Sequence, residues 1–305
     1  MFRLIALSLP YVGLTACREQ ADKTVVQTPT KEISLGTNAQ TLPVGVSNSV
    51  ATKSFARQVW PIVAGTWVNF AYAEKLRKTH SPRLAHKHWD RSGITVILID
   101  PQNQKGDSMV VTLGSANHEG LPTRYVHMRP GKTSNSLATT GQTGAAEETD
   151  VSIRYGFLKG DTLLYLDQYD KKTAKILTTA FQKVRSLPKT GITLQTALDH
   201  FVNSLDFQGT YKGVDSTGNE FPVRFTNTGQ VKGIPGIKTY QVNTDFEGPF
   251  HELDAVFFDI YQKNQQQLAF EIHRDTIRLY GVLDDTTLYK RTRGRLRYTL
   301  VKQTK

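Results

Sequence analysis

The sequence predicts an all-β fold of two consecutive antiparallel meander β-barrels, each preceded by a short helix, behind a disordered N-terminal tether. Short segments of alternating hydrophobicity, separated by Gly, Asp and Asn turns, recur from about residue 64 onwards, as is typical of antiparallel strands. The chain also repeats itself: "AGTWVNF" (64–70) and "QGTYKGV" (208–214) share a Gly-Thr-aromatic start after an apolar segment. Roughly seven to nine strands per unit suit a closed barrel, and a pair of β-sandwiches is the alternative.

The segments before the two repeats predict helices of unequal strength. "TLQTALDHFVNSL" (193–205) places five apolar side chains on one helical face: Leu194, Leu198, Phe201, Val202 and Leu205. "SFARQVWPIVA" (54–64) is shorter, and Pro61 interrupts its pattern. We therefore expect a well-formed helix before the second repeat and a shorter one before the first.

The strands are predicted from apolar segments bounded by turn residues. In the first unit they are 93–100, 108–114, 123–129, 152–158 and 161–170, besides the repeat itself and the end strand "AFQKVR" (180–185). In the second unit they are 220–226, 238–243, 254–262, 268–273, 276–282 and 286–292, ending on the similar "RYTLVK" (297–302). "GKTSNSLATTGQTGAAEE" (131–148) predicts a long flexible loop, and Gly294 predicts a hairpin turn inside "YKRTRGRLRY" (289–298).

The first sixteen residues, "MFRLIALSLPYVGLTA", have the layout of a secretory signal. Arg3 precedes an apolar stretch that is shorter than the about 20 residues needed to span a bilayer as a helix. Small residues and then Cys17, the single cysteine of the chain, follow this stretch. A lone cysteine cannot form an internal disulfide, so its position suggests a use other than cross-linking.

The tetrad Leu14-Thr15-Ala16-Cys17 resembles the lipobox of bacterial lipoproteins. The resemblance implies cleavage between Ala16 and Cys17, acylation of Cys17 with fatty chains such as palmitate, and a membrane anchor in the bacterial cell envelope. Arg18 follows the cysteine where many lipoproteins of the inner membrane have Asp, so the resemblance favours the outer membrane and leaves the face, periplasmic or surface, open. An incidental cysteine in an ordinary signal peptide is the alternative.

These observations divide the chain into four parts. Residues 1–16 are the predicted signal peptide, and the polar, irregular residues 17–52 are a predicted flexible tether. Residues 53–187 form the predicted first barrel, and residues 188–305 the second helix and barrel. An ordered arm packed on the first barrel is the alternative for the tether.

The two repeats resemble the opening of lipocalin-like (calycin) barrels, in which Gly-x-Trp begins the first strand. Gly65-Thr66-Trp67 matches this motif, and Gly209-Thr210-Tyr211 is a degraded copy. In that family the aromatic residue closes one barrel end and a basic residue from the last strand packs across it. The resemblance implies these structural roles for the aromatic residues and for one basic residue per unit, with Trp67 served by Lys183 or Arg185 and Tyr211 by Lys302.

No complete catalytic motif is present in the sequence, so we predict no catalytic residue and no cofactor. One histidine-rich segment, "HSPRLAHKHWD" (80–90), is a candidate metal site, because an extended strand would put His86, His88 and Asp90 on one face. A solvated surface loop after the first strand is the alternative. Asp259 and Glu271 lie on neighbouring predicted strands and are the only acid pair considered for glycan hydrolysis.

Charge indicates the class of partner. The net charge is +11, and basic residues cluster at 75–91 and 290–305. Basic patches attract polyanions. An exported protein does not meet nucleic acid, so anionic envelope lipids or glycans are the expected partners, with a merely solvated surface as the alternative.

Three functions remain open from the sequence. The lipocalin-like resemblance implies binding of a small apolar or amphipathic ligand inside a barrel. A non-catalytic structural or interaction scaffold of the envelope is the second hypothesis, because small barrels are often filled by their own side chains. A carboxylate-based glycan hydrolase is the third.

Overall fold

The computed structural model describes residues 48–88, 93–105, 108–115, 119–131, 135–140, 149–185, 187, 192–246 and 251–303. The predicted signal peptide, Cys17 and Asp90 lie outside these residues, and so does most of the predicted tether. The predictions made for them therefore stay predictions. The described residues belong to one compact unit, Pro43–Lys305.

The described residues form four helices: α1 (Asn48–Val63), α2 (Phe70–Thr79), α3 (Pro82–His86) and α4 (Leu194–Asp206). α4 confirms the helix predicted over 193–205, and Thr193 caps it in a capping box with Thr196. α1 also precedes the first repeat as predicted, but it continues through Pro61 and is longer than expected. None of these described helices combines the length and apolarity needed to cross a bilayer.

The first antiparallel sheet is closed. Its strands follow one another in chain order, and β1 pairs with both β2 and β8. The strands are β1 (Gly65–Asn69), β2 (Ile94–Lys105), β3 (Ser108–Ser115), β4 (Glu119–Pro130), β5 (Ser136–Thr140), β6 (Thr149–Leu158), β7 (Asp161–Asp170) and β8 (Lys175–Lys183).

The second antiparallel sheet has the order β11-β10-β9-β16-β15-β14-β13-β12. Its strands are β9 (Gly209–Asp215), β10 (Glu220–Phe225), β11 (Val231–Lys232), β12 (Tyr240–Val242), β13 (Ala255–Phe258), β14 (Gln266–His273), β15 (Thr276–Asp285) and β16 (Lys290–Lys302). The two end strands approach each other through an isolated bridge between Gln230 and Thr239. Beside that bridge, the Val231 N–H donates to the Lys238 carbonyl at 2.9 Å. The predicted β-rich class with two antiparallel sheets is thus confirmed.

Three local predictions were wrong. The loop predicted over 131–148 contains β5, which pairs with β4 and β6. Gly294 is not in a hairpin turn but inside β16, and the turn lies at residues 286–289, within the strand predicted over 286–292. The pairing of β15 with β16 shifts register near Tyr280, where extra residues of β16 are accommodated as bulges.

The interior of each sheet is filled by its own side chains. In the first sheet Trp67, Ile97, Met109 and Phe181 are fully buried in one apolar cluster. In the second sheet the rings of Phe207, Phe225, Tyr240 and Phe270 meet at centroid distances of 4.9–5.5 Å, largely edge to face.

The apolar cluster of the second sheet extends through α4 to the first sheet. Leu198 and Phe201 of α4 belong to the same buried cluster as Phe258 of the second sheet, Val68 of β1 and Tyr72 of α2. The apolar stripe of α4 is therefore buried against both sheets.

Candidate functional site

The first repeat places a basic side chain over its aromatic ring. Lys183 lies directly opposite Trp67 in the pairing of β1 with β8, and its Nζ is 5.3 Å from the ring centroid. The same ammonium donates to the carbonyls of Pro61 (3.1 Å) and Ile62 (3.2 Å) at the C-terminal end of α1, where it also complements the helix dipole. Burial lowers the pKa of Lys183. Arg185, the other candidate, instead pairs with Asp161 at 2.5 Å on the surface.

The second repeat has the same arrangement, but a tyrosine hydroxyl takes the place of the tryptophan N–H as the donor. The Tyr211 hydroxyl donates to the Phe207 carbonyl at 2.8 Å, just as the Trp67 indole N–H donates to the Val63 carbonyl at 2.8 Å. Lys302 lies opposite Tyr211 in the pairing of β9 with β16. A Cβ on Gly209 would lie 2.9 Å from Cε of Lys302, so the absence of a side chain at this position leaves room for the lysine stem.

A polar seam, defined by His80, Ser81, Asp206 and Asp254, ties the α2–α3 link to α4 and the second sheet. Ser81 and Asp206 are buried, and His80 and Asp254 are half-buried. The ring Nδ1 of His80 lies 2.9 Å from Asp206 Oδ1, and the Ser81 hydroxyl donates to Asp254 Oδ2 at 2.6 Å. The backbone N–H of Arg83 donates to Asp254 Oδ1 at 2.8 Å. These contacts join residues that are far apart in the sequence.

Burial perturbs the acids at this seam and on α4. It raises the pKa of Asp206 to about 6 although a hydrogen bond from His80 opposes the shift, and it raises the pKa of Asp199 to about 7. Burial also raises the pKa of Asp254. The hydrogen bond with Asp206 raises the pKa of His80.

A His-Asp pair beside a serine has the components of nucleophilic catalysis, but the contacts of Ser81 differ from that arrangement. Its hydroxyl donates to Asp254 and accepts the N–H of Leu84 at 3.1 Å, which caps α3. The serine thus holds a helix end, and the seam is a structural joint.

The metal site predicted from His86, His88 and Asp90 rested on an extended segment, and that premise was wrong. The segment Pro82–His86 is the helix α3, because Ser81 caps it and Pro82 occupies its first turn. Side chains two residues apart do not share a face of a helix. The His86 ring packs beside Phe246, with 5.5 Å between centroids, and Asp90 is outside the described residues. Among the described residues, no group of three His, Cys, Asp or Glu side chains could hold a metal ion.

The two carboxylates considered for hydrolysis have separate structural partners. Asp259 follows β13 and accepts from the N–H groups of Lys238 (3.0 Å) and Thr239 (2.9 Å), which fixes the turn before β12. Glu271 lies on β14, accepts from the Tyr280 hydroxyl at 3.1 Å and pairs with Arg293.

A cleft of about 800 Å³ opens where β6–β8 meet α2 and α4. Its lining has four basic side chains (Arg77, Lys159, Lys183 and Arg185), two acidic ones (Glu74 and Asp161) and an apolar wall that includes Phe70, Phe201 and Leu205. Arg77 spans it: its guanidinium binds Glu74 (2.6 Å) and Gln182 (2.8 Å) and lies 5.9 Å from the Phe201 ring centroid. The cleft is thus amphipathic, with more positive than negative groups.

The sequence did not reveal the seam or the cleft. His80 and Asp206 are remote in the chain, and only the burial of α4 between two sheets brings them together. The one available signal was the interruption of the apolar stripe of α4 by Asp199, His200, Asn203 and Asp206, of which the last three are buried.

No protein-family model, curated protein or solved structure matches the chain.

Proposed function

We propose that the protein is a lipid-anchored envelope protein whose folded part is a non-catalytic interaction scaffold. The observation that carries this proposal is the filling of both sheet interiors. Trp67 and Phe181 occupy the first interior, and Phe207 and Phe225 the second, all with at most 1% of their surface exposed. A ligand inside either sheet would have to displace these side chains, at a cost of several kcal/mol for each aromatic.

The seam supports a rigid scaffold. α4 packs on both sheets, and Asp206 and Asp254 bind the α2–α3 link at 2.6–2.9 Å. Such contacts restrict independent motion of the two sheets, which suits a platform that presents surfaces in a fixed arrangement.

The anchor and the finer fold are parts of the same proposal. Cys17 within the lipobox-like tetrad supports acylation and an outer-membrane address. The repeated pairs Trp67–Lys183 and Tyr211–Lys302, together with the Gln230–Thr239 bridge, support two copies of one lipocalin-like unit.

Native mass spectrometry of the full chain, extracted mildly from its own envelope, tests the scaffold. We expect the mass of the polypeptide with its acyl anchor, and no uptake of fatty acid or phospholipid on challenge. A further stoichiometric mass that organic extraction removes would contradict the proposal and favour a carrier.

The cleft favours a second candidate, the binding of an amphipathic anion outside the sheets. Its apolar wall and basic surplus suit an acyl chain with an acidic headgroup. If the spectrum shows lipid that Arg77→Gln together with Lys159→Gln releases, the carrier has its site in this cleft. Retention of lipid in this variant would place it elsewhere.

A further inference from the structure

The β15–β16 hairpin extends beyond the strands next to it as a two-stranded ribbon. Pairing of β14 with β15 ends at Gly281, and pairing of β9 with β16 begins only at Tyr298. Residues 282–285 and 290–293 therefore pair only with each other among the described strands. The turn at 286–289 connects the two strands at the end of the ribbon.

The ribbon tip, residues 283–290, exposes large apolar side chains. Leu283 is 59% exposed, Leu288 62% and Tyr289 65%. Leu288 and Tyr289 are adjacent in the turn, so these side chains form an exposed apolar group at the end of the hairpin, and exposed apolar groups are candidate interaction sites.

Basic side chains follow the tip toward the body of the sheet. Residues 290–297 contain Lys290 and four arginines: Arg291, Arg293, Arg295 and Arg297. Arg291 pairs with Asp284 at 2.9 Å and Arg293 pairs with Glu271, whereas no described residue forms an ion pair with Arg295 or Arg297.

The acids of the ribbon are engaged in local contacts. Asp284 is the partner of Arg291, and Asp285 accepts the N–H groups of Thr287 and Leu288, both at 3.0 Å, which shapes the turn. The ribbon therefore presents an apolar end followed by a net positive collar.

We propose that the ribbon tip docks on the surface of an anionic membrane, with Leu288 and Tyr289 entering the headgroup region, Lys290 contacting lipid phosphates, and the arginines farther along β16 adding positive potential. The order of groups along the ribbon matches the depth profile of a bilayer interface, where apolar groups lie deepest, tyrosine lies at the headgroups and cations lie outermost. The inference rests on the proposed envelope location.

An extended peptide pairing with the free ribbon edges is the competing occupant. The membrane fits better because the apolar groups are concentrated at the turn, whereas strand addition uses backbone groups and alternate side chains along an edge.

The test uses the mature chain, residues 17–305 with Cys17→Ser, which has neither the apolar signal segment nor the acyl anchor, and flotation on phosphatidylcholine vesicles with or without phosphatidylglycerol. The double variant Leu288→Ser, Tyr289→Ser should weaken binding to the anionic vesicles by roughly tenfold, since two partly buried apolar side chains are lost. Phe157→Ser with Ile176→Ser is the matched control, because these side chains are 61% and 66% exposed on the first sheet. We expect that control to bind like the parent.

A local readout keeps the test independent of other contacts. In the variant Tyr289→Trp, brominated lipid in anionic vesicles should quench the fluorescence of the introduced tryptophan. Equal binding of the tip variant and the parent, or no quenching at residue 289, overturns the proposal. Since no variant has the acyl anchor, this outcome does not depend on the mass-spectrometric test of the scaffold.

Discussion

The two lead-in helices serve the same purpose in different surroundings. α1 ends shortly before Trp67, and its residues Val59 and Val63 belong to the core of the first sheet. α4 ends below Tyr211, but its apolar stripe contacts both sheets. It also bears Asp199 and Asp206, two acids whose pKa burial raises to about 7 and about 6.

The comparison shows what an internal repeat can retain and what its position changes. At both helix–strand junctions, α1 with β1 and α4 with β9, an aromatic side chain donates to the carbonyl four residues earlier and a lysine lies opposite it. Because α4 is covered from two sides, its polar residues lose solvent, and their protonation becomes coupled to folding. α1 has no such buried acid among its described residues.

The largest effect is expected at the first junction. Trp67→Ala removes a fully buried indole and should lower the free energy of unfolding by about 3–5 kcal/mol, because the site cannot collapse around the cavity. Denaturant titration measures the change. Ile176→Ala, at a residue 66% exposed on β8, is the control and should change stability by less than about 0.5 kcal/mol. Similar losses of unfolding free energy in both variants would show that the buried indole contributes no more to stability than an exposed side chain.

An intermediate effect is expected on α4 and depends on pH. The folded-state pKa of Asp199 lies above its unfolded value, so its contribution to stability is complete below about pH 4 and is lost as the pH rises through about 7. Asp206 and His80 act in the same direction. Asp199→Asn should therefore raise the free energy of unfolding near pH 8 by about 1–3 kcal/mol and flatten its decline with pH.

The control for this pH dependence is Asp170, a partly exposed acid at the end of β7 whose pKa is lowered by hydrogen bonds from Thr173. Its contribution has the opposite sign, because it is lost as the pH falls. Asp170→Asn should leave the decline between neutral and alkaline pH unchanged. If Asp199→Asn also leaves that decline unchanged, the buried acids of α4 are not coupled to folding.

The smallest effect on stability is expected from replacing the two lysines, and it should differ between them. Lys183→Met removes two hydrogen bonds to the end of α1 and the contact with Trp67, and should cost about 1–2 kcal/mol. Lys302→Met keeps the aliphatic stem at an exposed position and should cost less than about 0.5 kcal/mol. Thermal unfolding of both variants compares them, and equal costs would mean that the two junctions are energetically alike.

The strongest sequence patterns predicted the fold well. The apolar stripe over 193–205 predicted α4 almost to the residue. α2 was missed although Asn69 and the helix-forming residues that follow signal a capped helix, because residues 75–91 were interpreted only as a basic cluster. The turn expected at Gly294 was wrong because a bulge in a paired strand also favours glycine.

The candidate sites were less predictable, since they depend on contacts between distant segments. Trp67 and Lys183 could be proposed together only through a family resemblance. The pairing of His80 with Asp206 has no local signature, because it needs the packing of α4 against α2. The exposure of the ribbon tip depends on where the neighbouring strands β14 and β9 end, which hydrophobic alternation does not specify.

The cluster shared by the two sheets has a consequence for the newly synthesised chain. β1 can complete its sheet once β8 has emerged, before α4 and the second sheet have followed. During that interval the apolar surface formed by Val68, Tyr72 and Val96 lacks the cover that α4 later provides. A chaperone that binds nascent or translocating chains would bind this exposed surface, and would be displaced when Leu198 and Phe201 of α4 pack against it.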